Sequence, residues 1–327
     1  MNPRTRRPAT GLGEFAFIDR FLKPLAGHPG ALGLADDAAV LALPEGEAAV
    51  LAKDGMVEGV HFLPDCPPDT LAHKLLAVNA SDLAAMGARP LGYLTFLARS
   101  PAVDAAWLES FAAGLGAAQA RFGMTLLGGD TVATPGPLTL SCTVLGTLPF
   151  GAEIRRNGAR PGDRLVVTGT LGDAALGLRI LKGLAAEEEG ALWLIDRYRR
   201  PTPRLGLGQA LRGTATAMLD VSDGLLADLG HILDESRVGA VVGAAALPLS
   251  PVARHMPGAR DCALAGGDDY ELLFTVPPHK LDAALESARR LGVQATLIGK
   301  IVAGGGLTVL DERGVAFEPE GRGWRHF

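Results

Sequence analysis

Leu219-Asp220-Val221-Ser222-Asp223-Gly224 closes the short apolar run Ala217–Leu219 and leads into Leu225–Leu233, whose leucines and isoleucine recur at helical spacing. A strand that passes through an acidic turn into a helix is the building unit of an α/β fold. The turn itself has two readings. Ser222 or Asp223 can simply cap the helix. Alternatively, the helix N-terminus attracts a phosphate while Asp220 and Asp223 recruit a metal ion. The same theme of glycine followed by acid recurs twice. Leu126-Leu127-Gly128-Gly129-Asp130-Thr131 is an apolar strand that ends in a glycine turn and a carboxylate, and Gly266-Gly267-Asp268-Asp269-Tyr270 precedes the apolar run Leu272–Val276. Glycines let backbone N–H groups approach a phosphate, although a plain turn also explains each triplet.

Outward from these stretches, strand and helix patterns alternate along the chain. A helix containing Ile18, Phe21, Leu22 and Leu25 starts after Glu14 and loses regularity at Pro24. Ala38–Leu43 and Ala48–Ala52, separated by Pro-Glu-Gly, read as a hairpin. A long helix over Thr70–Met86 follows, then a strand at Leu91–Leu97, a helix at Asp104–Phe122, and strands at Met124–Leu127 and Leu138–Leu148. Pro149, Gly151 and Gly158–Asp163 interrupt the pattern and mark a boundary near residue 150. Beyond it come Arg164–Thr168, Ala174–Leu184, Leu205–Leu211, the opening unit, Leu272–Val276, a helix at Lys280–Leu291 and a strand at Leu297–Val302. Both halves are mixed α/β.

The bulk properties agree with this picture and narrow the function. A chain of 327 residues favours two domains, and 48% hydrophobic with 20% charged residues fits a globular interior. A net charge of -5 argues against a general nucleic-acid binder. Cys66, Cys142 and Cys262 are far apart with no metal-ligand spacing, which favours a reducing compartment. No apolar run reaches the ~18 residues that span a bilayer, and the arginines before Thr10 lead into no signal-peptide core, so the expectation is a cytoplasmic protein without a membrane partner.

Aspartates carry the chemistry. Leu71, Leu75, Val78 and Asp82 share one helical face, so a carboxylate sits on an otherwise core-facing stripe. Such a group needs a metal, a partner or solvent. Asp36-Asp37 precedes the first strand of the expected hairpin and Asp54 follows the second, which would bring both acids to one end of a sheet. With Asp82 they would form an oxygen-rich site suited to Mg²⁺, although each alone is also an ordinary turn residue. No GxxxxGK[ST] loop, protein-kinase motif set or Gly-x-Ser-x-Gly elbow is present. His61 alone reads as structural, and Arg197, Arg199, Arg200 and Arg204 read as a solvated face.

Taken together, the words resemble the thiamine-monophosphate kinase family. They are Gly13-Glu14-Phe15, Asp36-Asp37-Ala38-Ala39, Asp54 through Val57-Glu58-Gly59-Val60-His61-Phe62, and Val78 through Asp82 to Gly87. Gly128–Thr131, Gly158–Asp163, Asp220–Gly224, Gly266–Leu272 and the terminal Gly323-Trp324-Arg325-His326-Phe327 continue the series in order. The resemblance implies an α/β fold of two domains shared with aminoimidazole-ribonucleotide synthetase, each a mixed sheet with helices. Residues 1–150 would bind ATP and magnesium and form a homodimer, and residues 151–327 would complete the nucleotide and substrate site. It assigns several magnesium ions to Asp37, Asp54, Asp82, Asp130, Asp220 and Asp223. ATP, the co-substrate, falls to Gly129, Asp130, Arg156 and Ser222, and thiamine monophosphate to His61, Asp268 and Trp324. No dedicated catalytic side chain is implied, since the acceptor is a phosphate whose second pKa is about 6 and which is already a nucleophile at neutral pH.

The chain departs from the family pattern at Ala52-Lys53, where Ser/Thr-Thr is usual before the aspartate. An ammonium there implies fewer bound metals or the replacement of one metal's charge. Ala35 and Asp268 are milder changes. Two rivals remain: another ATP-using enzyme of the superfamily, and a nucleotide-binding relative that has lost catalysis. A selenophosphate synthetase would carry an N-terminal cysteine, whereas the first here is Cys66, and the hydrogenase-maturation relative would end in cysteine rather than Phe327.

Overall fold

Glu14–Phe17 form a single helical turn, α1, which loosens over Ile18–Leu22 into a wider π-type turn and tightens again over Lys23–Leu25. Pro24 therefore sits inside a 3-10 turn rather than ending the helical path, as its missing N–H permits early in a turn. The computed structural model describes residues 13–185, 189–319, 321 and 323. The chain forms two units. One comprises the residues up to Ala42, Lys53–Leu76 and Leu91–Val144; the other comprises Leu43–Ala52, Ala77–Pro90 and the chain from Leu145.

The elements that follow are β1 (Glu47–Val57), α2 (Pro68–Ala85), β2 (Arg89–Arg99), α3 (Ala105–Phe122), β3 (Leu126–Ala133) and β4 (Thr139–Pro149). They build a four-stranded sheet in the order β1-β4-β2-β3, with β2 and β3 parallel. Asp104 caps α3 by accepting the Trp107 N–H at 2.8 Å, and Gly123 ends it in the left-handed region. Between Thr70 and Ala85, Asp82 is the one residue that is not buried. The expected stripe is thus part of a helix covered on nearly every side, and the acid marks its one opening.

Two expectations fail here. Ala38–Leu43 is not a strand, because Val40 donates its N–H to the Gly30 carbonyl at 2.8 Å and the segment folds back on the preceding turn. With no hairpin, Asp37 lies in an exposed bend, and β1 runs on through Asp54 instead of stopping before it. The second failure is the Gly128-Gly129-Asp130 turn, since β3 passes straight through it. Thr95 and Phe96 of β2 face Gly129 and Asp130 in register, and a Cβ at Gly129 would collide with the Thr95 carbonyl oxygen. Glycine is needed there for close strand approach, not for a bend.

The second sheet uses β5 (Arg164–Thr168), β6 (Ala217–Asp220), β7 (Gly239–Gly243), β8 (Leu272–Val276), β9 (Ala295–Val302), β10 (Gly306–Leu310) and β11 (Ala316–Phe317). Its order is β11-β10-β7-β9-β5-β8-β6, antiparallel except for the parallel pair β7 and β10. The helices are α4 (Asp173–Leu181), α5 (Ala191–Arg199), α6 (Leu205–Ala210), α7 (Leu225–Ser236), α8 (Ala259–Ala265) and α9 (Leu281–Arg290). All five residues of β8 are buried. Leu273 packs in one core with Leu219 of β6 and Leu225, Leu229 and Ile232 of α7. Phe274 packs in another with Met218, Leu207 and Ala284. A near-continuous apolar run suits a strand covered on both faces, and its one polar residue, Thr275, accepts the Ala217 N–H at 3.0 Å. The sequence patterns had not separated α5, β7, α8, β10 and β11 from their surroundings. Each has nine residues or fewer, and β7 and β10 open on glycines.

Candidate active site

The expected site residues divide between the two units. In the second unit, β6 ends on the buried Asp220 and the chain turns through Val221–Gly224 into α7. Gly224 has φ of 118°, and a Cβ there would stand 2.8 Å from the Ala265 carbonyl carbon, so the turn requires glycine. Neither Ser222 nor Asp223 caps α7. The carboxylate comes from inside the helix: Asp228 Oδ2 accepts the N–H groups of Ser222, Asp223 and Gly224 at 3.0, 3.0 and 3.1 Å. Asp228 thus occupies the three loop amides that precede α7.

Burial, and then the charges of Asp220 and Asp223, push the Asp228 carboxyl up to about 7, against the pull of the Asp223 and Gly224 amides. The carboxylates of Asp220 and Asp223 beside it are a donor set of hard oxygens that suits Mg²⁺. The carbonyl side of the same loop is also held. Asp268 donates its N–H to the Ser222 carbonyl and Tyr270 to the Val221 carbonyl, each at 2.8 Å. Asp268 and Tyr270 adopt φ of 70° and 51°, strained for residues with side chains. The structure thus brings Asp220, Ser222, Asp223 and Asp268 together. Arg156 is elsewhere in this unit: its carbonyl accepts the hydroxyl of Ser236, the last residue of α7, while Asp223 precedes the first.

Behind the 266–270 loop lies an ionic network that sequence reasoning missed. Glu271, fully buried, accepts from Arg197 Nη2 at 2.9 Å, Arg204 Nε at 2.7 Å and Nη2 at 2.5 Å, and Thr168 Oγ1 at 2.6 Å. Arg197 and Arg204 are therefore partners of a buried acid and not a solvated face; Arg200, paired with Asp196 at the surface, fits the expectation. Asp269 caps α4 through the Gly172 N–H at 2.7 Å. Burial drives its carboxyl well above the usual range, and burial likewise raises Asp173, which accepts from Ser250 at 2.7 Å and from Thr170. The available signal was three acids, Asp268, Asp269 and Glu271, abutting a strand that is apolar at all positions but Thr275, where at least one had to be buried and compensated.

In the first unit, Lys53 and Asp54 are exposed on β1. The Lys53 ammonium donates to Ser141 Oγ on β4 at 2.5 Å. The thiol of Cys142 next to it is pushed up by burial; Lys53 opposes that shift and Asp54 adds to it, so both charges act at this point of the sheet. Gly129 and Asp130 are exposed on β3. His61 Nδ1 accepts the Val57 N–H at 3.0 Å, which leaves the ring proton of the neutral imidazole on Nε2. Among the described residues, no three His, Cys, Asp or Glu side chains converge to hold a metal ion unaided. Mg²⁺ commonly binds through one or two carboxylates plus substrate phosphates, which such a layout permits. Trp324 lies outside the described residues.

Two family models match the chain. The AIR synthase related protein N-terminal domain covers residues 35–148 and the corresponding C-terminal domain covers 160–312. The thiamine-monophosphate kinase of Salmonella typhimurium is 44% identical over 96% of this chain and 98% of that protein. The crystal structure of thiamine-monophosphate kinase from Stenotrophomonas maltophilia has a TM-score of 0.84 and 44% identity, covering 94% of this chain and 98% of that one. AaThiL complexed with AMPPCP and TMP has a TM-score of 0.77 and 32% identity, with 97% of each chain covered.

Proposed function

This chain belongs to the thiamine-monophosphate kinase family, and from that premise we propose how its residues transfer the γ-phosphate of ATP to thiamine monophosphate to yield thiamine diphosphate. The observation that carries the assignment of roles is the backbone joining of two acidic loops, Asp268 to Ser222 and Tyr270 to Val221, each at 2.8 Å. That junction supports Asp220 and Asp223 as magnesium ligands, Ser222 as an ATP contact and Asp268 as a contact for the thiamine phosphate. Asp37, Asp54, Asp82 and Asp130 complete the proposed magnesium set. Gly129, Asp130 and Arg156 are further ATP contacts; His61, through its Nε2 edge, and Trp324 are further substrate contacts. Residues 1–150 and 151–327 are the proposed domains.

Bound magnesium would supply the positive charge that lets two phosphate anions approach and that offsets charge in the transition state. The chain's own part is to hold and orient. Asp220 and Asp223 are fixed on a loop whose amides are anchored to Asp228, so little reorganisation is needed on binding. The acceptor is a phosphate monoester already ionised near neutral pH, so no side chain need remove a proton. Transfer is direct and in line. A substrate made chiral at the γ-phosphorus should give inversion, and net retention would instead require a phospho-enzyme and overturn the scheme.

The enzyme is a proposed homodimer through residues 1–150. Leu94 and Val132 lie on one sheet face and are 43% and 41% exposed, and Leu51 on the edge strand β1 is 67% exposed. Apolar exposure of this kind favours a covering partner. A cytoplasmic location is proposed from the cysteines, all free, and no helix among the described residues is long and apolar enough to cross a membrane.

A further inference from the structure

Asp228 touches no reacting group in the reaction as described, yet its side chain takes three hydrogen bonds from the 220–224 loop. It sits in the first turn of α7 and is buried. A single oxygen, Oδ2, gathers three consecutive amides, those of Ser222, Asp223 and Gly224. Three successive N–H groups converging on one point form a backbone nest for an anion. Here the anion is part of the chain. The opposite, carbonyl edge of the loop is held by the Asp268 and Tyr270 amides. The loop is therefore gripped along both edges, and its two carboxylates, Asp220 and Asp223, project from a backbone with little freedom.

The charges of Asp220 and Asp223 make this position electrostatically unfavourable for the Asp228 carboxylate. An uncharged acceptor could cap the helix without that repulsion. What a carboxylate adds is a stronger acceptor for several donors at once. We infer that Asp228 is a positioning residue: by filling the amide nest it sets the direction of Asp220 and Asp223 and locks their loop to the Asp268 loop, and it touches neither nucleotide nor substrate. This inference rests on the proposed reading of Asp220 and Asp223 as metal ligands.

The experiment titrates Mn²⁺, followed by its electron paramagnetic resonance signal, into the full chain with a non-hydrolysable ATP analogue. Asp228→Asn keeps the shape and loses the charge; Asp228→Glu keeps the charge and displaces the oxygen. Residues that orient metal ligands from behind typically change metal affinity by about 10–100-fold when replaced. Both variants should lose on the order of 10-fold or more, while Asp234→Asn, on the exposed side of the same helix, should bind as the parent does. Wild-type affinity in Asp228→Glu would mean that charge alone matters and would overturn the positioning role. Unfolding of both Asp228 variants, read by circular dichroism, would make the residue a structural one and overturn it equally. The parent titration tests the underlying reading separately: if the unmodified chain binds no Mn²⁺ with the nucleotide, the metal assignment fails and this inference fails with it.

Discussion

Replacing Glu271 by Gln tests whether the buried network behind the Asp268 loop stabilises the fold. The carboxylate is wholly buried and takes both donors of the Arg204 fork, one from Arg197 and the hydroxyl of Thr168. The Thr168 hydroxyl in turn accepts the Leu272 N–H at 2.8 Å, so the network reaches the first residue of β8. Gln keeps the volume but turns one oxygen into a donor that faces a guanidinium. It also leaves two arginines, whose side chains are only 13% and 19% exposed, without their common counter-charge. Removing one partner of a buried pair typically costs about 3–5 kcal/mol. Both arginines keep some contact with solvent, which places the expected loss near the lower end, about 3 kcal/mol. At roughly 2–4 °C per kcal/mol, the melting temperature should fall by about 6–12 °C. Thermal unfolding followed by far-ultraviolet circular dichroism reads this directly, with Glu286→Gln on the exposed pair with Arg289 as the control. Changing Arg204 to Met together with Glu271→Leu should recover part of the loss, because an apolar pair can replace a buried ionic one. A shift in Glu271→Gln no larger than in the Glu286 control would refute the reasoning.

Other perturbations follow from the same geometry. Gly224→Ala forces a side chain to a φ of 118° against the Ala265 backbone and should lower stability by about 1–3 kcal/mol in urea unfolding, more than Gly213→Ala, where the φ is 70° and the space is open. Asp173 and Asp269 are raised by burial, so the folded chain keeps protons that the unfolded chain has released; their contribution is fully present below the ordinary carboxylate range and is lost as pH rises toward the raised values. Asp173→Asn should flatten that decline in unfolding free energy, and an unchanged pH profile would contradict the assignment. Lys53→Ala removes the ammonium bound to Ser141, and the magnesium concentration for half-maximal activity should rise if that charge stands in for part of the metal's; an unchanged requirement would confine Lys53 to the β1–β4 contact.

What the sequence disclosed and what it hid have physical explanations. The strands β5 and β8 and the helices α2, α3 and α7 were legible because each pairs a clear apolar pattern with a boundary residue, such as Asp104 before α3. The acidic loop after β6 was legible for the same reason. The first hairpin was misread because Ala38–Leu43 has a strand's composition but satisfies its backbone locally, through Val40 and Gly30. The Gly128-Gly129 step looked like a turn because a missing side chain signals either a bend or a close neighbour, and only the partner strand decides which. Asp269 and Glu271 stayed hidden because their partners are distant in sequence: Asp269 caps a helix 97 residues back, and Arg204 reaches Glu271 across 67; Asp228 is close to its partners but holds them from inside α7 rather than from the position before it. Local patterns carry no record of such pairs.

The most direct test of the account measures thiamine diphosphate formed from thiamine monophosphate and ATP, with magnesium, in a magnesium-free control, and with free thiamine as competing acceptor. The account predicts thiamine diphosphate only when both magnesium and the monophosphate are present, with no phosphorylation of free thiamine. Nucleotide binding with magnesium but no thiamine diphosphate would contradict it, and would leave a member of the family that has lost or changed its reaction.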